Sequence, residues 1–511
     1  MPESFSSPSL DLDRYPIPTQ AFIGGEFLDG TSSEKHTLIS SVNDAIITKG
    51  RPALYHPQNT FEMPLLTLSE LQWANTLDVD YAVEAAEEGL KAWQAMSDGA
   101  RRDALIKYGD LIQQNKERFQ WLEGILVGKD AGFCSFEVNF AAELFTYYGN
   151  MIDKVSSDVL VSTNENLRYT LHQPWGICAG IVPFNGPIIT MAMKLAPALA
   201  CGNVMIVKTS ETNPFSTLYM ASLANSAGIP PGVINCLTGG AEAGHALAAH
   251  MKIRKISFTG SIPVGKRVQI AAAESNLKGV TLELGGKSPV IVFEDADIDK
   301  AVAGIMTFLV MNGQGCALGT RVYVHESVAY ELISKVEDLA EMHAGTLGDD
   351  PLSESTRSSP LYHHRQKETV LSYIESGKAE ATLVCGGSSV GKQGCYVQPT
   401  VFVDPQPGAR IVREEIFGPV LVITRFKTEE EVVKMANDTE FGLASTVYTK
   451  DIARALRLSR LLEAGSVHIN GSGWPNPKVP MTGWKQSGQG IENGREAMMD
   501  WMQVKVVSLS V

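Results

Sequence analysis

The chain has 511 residues, of which 44% are hydrophobic and 20% charged, and its formal net charge is −14. That length predicts two or three domains rather than one core, and the ordinary composition argues against a disordered chain. The acidic balance disfavours a general nucleic-acid or membrane-surface role, and a solvated acidic surface accounts for it without a special partner.

In chain order, residues 1–20 carry Ser and Pro and read as an arm, with no basic start and no apolar run of the kind that marks a secretory signal. Residues 22–30 read as a short strand pair about a glycine turn. The stretch 31–75 is irregular. Val79, Val83, Ala86, Leu90 and Trp93 recur at helical spacing behind Asp78, the expected N-cap, and helices continue to about residue 154. The runs 159–161 and 167–171 form a β-hairpin. From Trp175 the pattern changes: residues 177–182 are a buried strand, 191–200 an apolar helix, 203–207 a strand, and 256–258 a strand that runs into Thr259-Gly260-Ser261. This rhythm implies a parallel sheet with helices on its faces, and a second strand–helix series runs from about 288 to 480. There is no internal repeat and no apolar span of membrane length.

Seven cysteines are scattered along the chain, without a CxxC pair or a His-rich tract. That pattern predicts no metal site and a reducing, cytoplasmic setting. Cys316 stands apart, among the glycines of Asn312-Gly313-Gln314-Gly315-Cys316 and downstream of Leu282-Glu283-Leu284-Gly285-Gly286-Lys287. A thiol in open backbone with an upstream carboxylate is a candidate nucleophile with a candidate base. An arbitrary cysteine is more often a small inert core group, so its context decides.

Seven motifs supply that context, in order: Pro183-Phe184-Asn185-Gly186-Pro187, Lys208-Thr209-Ser210-Glu211, Phe258-Thr259-Gly260-Ser261, Glu283-Leu284-Gly285-Gly286-Lys287, Gln314-Gly315-Cys316, Glu415-Ile416-Phe417-Gly418-Pro419 and Lys485-Gln486-Ser487-Gly488. Together they resemble the aldehyde dehydrogenase superfamily from about residue 20 to 505. The resemblance implies an α/β fold with two parallel α/β domains and a β bridging arm. A Rossmann-type cofactor domain would span 1–153 and 175–286, a catalytic domain 287–480, and an arm 154–174 with 481–511 that builds homodimers or homotetramers.

The resemblance also implies roles. Cys316 attacks the aldehyde, Asn185 stabilises the oxyanion, and Glu283 activates water against the thioester. Lys194 and Glu492 match positions proposed to relay a proton, and a structural ion pair accounts for them equally well. The Cys316 thiol is expected to have its pKa lowered by local dipoles. Lys208 and Glu211 would hold the adenosine ribose of NAD, with NADP also allowed; alone, the two read as a surface charge pair. Phe258, Gly260, Ser261 and Val264 open a helix suited to a pyrophosphate, although no GxGxxG is present. Gly240 and Gly244 border the adenine, Glu415 and Phe417 the nicotinamide ribose and ring, and Pro183, Phe184 and Leu284 complete the cofactor surface. Phe184 replaces the usual Trp. Gly186 stands where many members carry a bulky residue. Gly186, Thr190 and Met193 therefore imply a wide aldehyde pocket and a medium or bulky, apolar or aromatic aldehyde as the small-molecule partner. A coenzyme-A-acylating relative would lack Glu283, and a non-catalytic one need not keep Cys316, Glu283 and Asn185 together.

Overall fold

The computed structural model describes residues 8–48, 71–471 and 473–510. The expectations for residues 1–7 and for 49–70 of the irregular stretch lie outside them.

The expected N-terminal strand pair forms as β1 (Ala21–Ile23) and β2 (Glu26–Leu28), turning on Gly24 and Gly25, both at positive φ. Four helices follow: α1 (Thr76–Ala95), α2 (Asp98–Gln114), α3 (Lys116–Val127) and α4 (Ala131–Gly149). Helix α1 starts earlier than the apolar spacing indicated. Its cap is Asn75, whose side chain accepts the Leu77 and Asp78 N–H groups. Asp78, the expected cap, is instead the third helical residue and accepts the Asn75 N–H at 3.0 Å. In such a reciprocal pair both residues are good caps, so residue type alone does not say which leads.

The hairpin is β3 (Val159–Ser162) with β4 (Asn166–Pro174). A parallel series then begins: β5 (Ile177–Ile181), helix α5 (Pro187–Ala200), β6 (Val204–Thr209), β7 (Ile234–Thr238), β8 (Lys255–Thr259), helix α6 (Ile262–Ser275) and β9 (Gly279–Glu283). The chain then passes directly into a second series. Its strands are β10 (Ser288–Val292), β11 (Gly319–His325), β12 (Thr382–Cys385), β13 (Thr400–Val403), β14 (Val420–Phe426), β15 (Ala444–Tyr448) and β16 (Ser466–Ile469). Helix α7 (His364–Glu380) lies within that series. The tail supplies β17 (Gly488–Gln489), helix α8 (Gly494–Asp500) and β18 (Met502–Ser510).

The first sheet has the order β2-β1-β7-β6-β5-β8-β9-β17, and its five central strands are parallel. Strands β5 to β7 are buried at every position, which is why they read as unbroken apolar runs rather than as alternation. The second sheet has the order β12-β13-β14-β11-β10-β15-β16 and encloses its own cores. The third is β18-β4-β3, in which β18 pairs antiparallel with β4 from Met502 to Ser510.

The tail does not divide as the resemblance drew it. Residues 481–511 were assigned wholly to the arm, yet β17 pairs with β9 at the edge of the first sheet and α8 packs against α5. Only β18 joins the hairpin. Short two-residue strands carry little sequence signal, so the assignment followed the stronger pattern of β18. Among the described residues no helix is long and apolar enough to cross a membrane.

Strand order fixes where a ligand can sit. The chain leaves β5 toward β6 on one side and returns to β8 on the other, so the crevice at the carboxyl ends of β5 and β8 is a topological switch point. Asn75→Ala removes the α1 cap and is expected to cost about 1 kcal/mol, read as a lower urea midpoint.

Candidate active site

A cleft of about 750 Å³ opens at that switch point. Its floor is the segment after β5 (Pro183, Phe184, Asn185), the segment after β8 (Gly260, Ser261) and the end of β9 (Glu283, Leu284). One wall carries Lys208, Glu211, Gly240 and Gly244, and Phe258 and Val264 also line it. Cys316, Glu415 and Phe417 close it from the second domain. The structure thus brings together every residue assigned to the cofactor with Cys316, Glu283, Asn185 and Thr190. Gly186 caps the α5 N-terminus outside the lining. Met193 does not reach the cleft either. It is 4% exposed and belongs to the core beneath α5, because that helix is buried on nearly all sides and spacing alone could not say which face meets the cleft.

Of the seven cysteines only Cys316 is not buried. It follows a strained turn: Met311, Asn312 and Gly313 all have positive φ, at 52°, 50° and 78°. Two non-glycine residues in this region cost on the order of 1–3 kcal/mol each. Gln314 holds the turn. Its side-chain amide donates to the carbonyls of Met311 (2.9 Å) and Pro360 (3.3 Å), and its Oε1 accepts the Tyr362 N–H at 2.9 Å. Asn185 Nδ2 donates to the Gln314 carbonyl at 2.7 Å, which leaves its second N–H.

The Cys316 thiol is not lowered as expected. Burial first, then the negative charges of Glu283 and Glu415, push it up to about 12, against its own and Ala317's backbone N–H groups. The local dipoles exist and are outweighed. Glu283 is 1% exposed and neither carboxylate oxygen has a hydrogen-bond partner. Burial and Glu492 hold it well above the usual carboxylate range, against Lys194. Lys194 Nζ bonds Ser257 (3.0 Å), Thr259 (2.8 Å) and Glu492 (2.5 Å); of the four only Thr259 lines the cleft. Ser257 and Thr259 alternate along a buried strand, a period-two polar pattern that could have flagged this pair from sequence.

Glu415 Oε1 accepts the Gly286 N–H at 2.9 Å, and burial raises its carboxyl to about 7. Lys208 Nζ, whose charge burial disfavours, donates to the Thr209 carbonyl (3.0 Å) and to Glu211 (3.4 Å). Helix α6 starts at Ser261 without a side-chain cap, so its first N–H groups remain available to an anion. That uncapped start, beside the half-exposed Glu211 carboxylate, fits a dinucleotide. Gly240 has a separate reason to be glycine, since a Cβ there would lie 2.8 Å from Trp73. Sequence reasoning missed Gln366, which lines the cleft and donates to the Ile416 (3.1 Å) and Phe417 (2.8 Å) carbonyls. It lies in the first turn of α7, outside every motif. Among the described residues no cluster of His, Cys, Asp and Glu could hold a metal ion.

A profile of the Aldehyde dehydrogenase family matches residues 65–507. The chain is 38% identical over 502 residues to an aldehyde dehydrogenase of Agaricus bisporus, covering 97% of this chain and 95% of that one. It is 40% identical over 450 residues to retinal dehydrogenase 2 of Homo sapiens, covering 86% of each. Its fold is similar to that of a mutant P. syringae AldA indole-3-acetaldehyde dehydrogenase in complex with NAD+ and IAA, with a TM-score of 0.90, 33% identity and 98% of each chain covered. The ordered motifs, the switch-point cleft and these matches over nearly the whole length place the chain in the aldehyde dehydrogenase family.

Proposed function

We propose that this enzyme oxidises a medium or bulky apolar aldehyde to its carboxylate with NAD, through a thiohemiacetal and then a thioester on Cys316. The carrying observation is the convergence, at one switch-point cleft, of a half-buried thiol, an unpartnered buried carboxylate and a side-chain amide.

Lys208 and Glu211 would take the adenosine ribose, the α6 start the pyrophosphate, and Glu415 the nicotinamide ribose. The bound nicotinamide supplies the hydride acceptor. Cys316 Sγ bonds to the carbonyl carbon while the free Asn185 N–H and the Cys316 N–H stabilise the oxyanion. The resting thiol is neutral, so attack requires loss of its proton, and Glu283 can act as base only after losing its own. Hydride loss leaves the thioester. Glu283 then takes a proton from water as the water oxygen bonds to the acyl carbon, the C–S bond breaks with its electron pair returning to the Cys316 sulfur, and the carboxylate leaves. Lys194 favours the ionised Glu283 and Glu492 opposes it.

Gly186 leaves the α5 entrance without a side chain. That open position and the retinal and indole-acetaldehyde relatives support a bulky substrate. The exposed Val159, Leu160, Val504 and Val506 of the third sheet support assembly into homodimers or homotetramers. A cytoplasmic setting remains part of this reading.

NADH formation against short, long and aromatic aldehydes tests it. Turnover should favour the bulky members, with NAD over NADP, and Cys316→Ala should abolish it. Good turnover of acetaldehyde with none of the bulky ones would overturn the substrate class, and a need for coenzyme A would point to the acylating reaction. Glu283→Gln should keep a rapid burst of about one NADH per site while steady turnover collapses; loss of the burst would remove Glu283 from the hydrolysis step alone. Glu492→Gln removes a negative charge that raises Glu283 and frees the Lys194 charge that lowers it. The limb on which activity rises with pH should therefore move to lower pH, and a shift to higher pH would contradict the arrangement.

A further inference from the structure

A second polar cluster lies behind Asn185 and lines no part of the cleft. Lys129, in the α3–α4 connection, is fully buried. Its Nζ is 2.6 Å from Glu123 Oε2 on α3 and pairs also with Glu137 on α4, and both carboxylates are fully buried. Two carboxylates facing one cation in the interior are costly, and burial pushes the Glu137 carboxyl up to about 7 against Lys129, a cost that an apolar core of the same volume would avoid. Stability alone is a poor reason for such a cluster, so its contacts matter.

Those contacts converge on one short segment. Asn213 Nδ2 donates to Glu123 Oε2 at 2.8 Å and to the Phe184 carbonyl at 2.9 Å. Glu137 Oε1 accepts the Ile189 N–H at 3.5 Å and would lie 3.2 Å from a Cβ on Gly186. Asn185 is therefore held from both sides, through Phe184 before it and the first turn of α5 after it. A third tie runs through Tyr362, whose ring stands 6.0 Å from Lys129 Nζ and packs edge-on against Phe184. The Tyr362 N–H donates to Gln314, whose carbonyl receives Asn185 Nδ2.

We infer that Glu123, Lys129, Glu137 and Asn213 form a positioning network that fixes the backbone on both sides of Asn185 and so aims its N–H at the oxyanion. The inference rests on the reading of Asn185 as the oxyanion donor. None of the four touches the reacting atoms. Their effect passes through Asn185, and a displacement of about 1 Å in such a donor is enough to slow a reaction by about a hundredfold.

The test is a double-mutant cycle between Asn213→Ala and Asn185→Ala, with kcat measured at saturating NAD and aldehyde and NAD affinity measured separately. Asn185→Ala should lower kcat by about a hundredfold or more. Asn213→Ala should lower kcat by about tenfold in the otherwise native enzyme and by less than about twofold beside Asn185→Ala, since interacting sites are non-additive. NAD affinity should not move. Two effects that multiply would overturn the positioning network while leaving the oxyanion role intact. An Asn185→Ala enzyme with undiminished kcat would overturn both. If Asn213→Ala does not yield folded protein, Glu123→Gln, which keeps the side-chain shape, replaces it in the same cycle with the same criteria.

Discussion

Four residues, Leu284 to Lys287, carry the chain from the last parallel strand of one sheet into the first of the other, and the site depends on how short that crossing is. Fully extended they span at most about 14 Å, so Glu283 at the end of β9 is tethered close to everything the second domain contributes. Gly285 and Gly286 have no room for a side chain. A Cβ on the first would overlap the Glu415 carboxylate, and one on the second would overlap the Cys316 carbonyl. Ser487 reinforces the crossing: its Oγ donates to the Gly285 carbonyl at 2.7 Å and accepts the Gly442 N–H at 2.9 Å. Glu283, the Cys316 loop and Glu415 are thus held together by backbone that cannot spread without breaking these contacts.

That compactness has an electrostatic consequence. Cys316, Glu283 and Glu415 share one poorly solvated region, and the two carboxylates make ionisation of the thiol harder. Burial, with neighbouring carboxylates, raises both the Cys316 thiol and the Glu283 carboxyl, and Cys316 follows the strained turn at Met311 and Asn312. Lys194 and Glu492 act on Glu283 in opposite directions, so its carboxyl is tuned by a balance rather than by one partner.

Much of this was legible in the sequence, for identifiable reasons. Buried parallel strands read as unbroken apolar runs, and the glycine-rich motifs read clearly because close backbone approach requires glycine at Gly285 and Gly286. What escaped was set by tertiary contact. Asp78 and Asn75 are both competent caps, and only the backbone path chooses between them. Met193 lies on a helix surrounded on nearly all sides, so its spacing carried no direction. The direction of the Cys316 shift could not be read at all, because it depends on two carboxylates that arrive from 33 residues before and 99 residues after it. Glu123, Lys129 and Glu137 fall in a helical stretch where charged residues are ordinary, and nothing in it announces that all three are buried.

The central claim is a covalent acyl group on Cys316. The most direct measurement is rapid acid quench of the enzyme turning over a bulky aldehyde with NAD, followed by peptide mass analysis, comparing the native enzyme with Glu283→Gln. The account predicts an acyl mass on the peptide containing Cys316 that accumulates toward full occupancy when Glu283 is replaced. An acyl group on another residue, or none on Cys316 while NADH is formed, would contradict it.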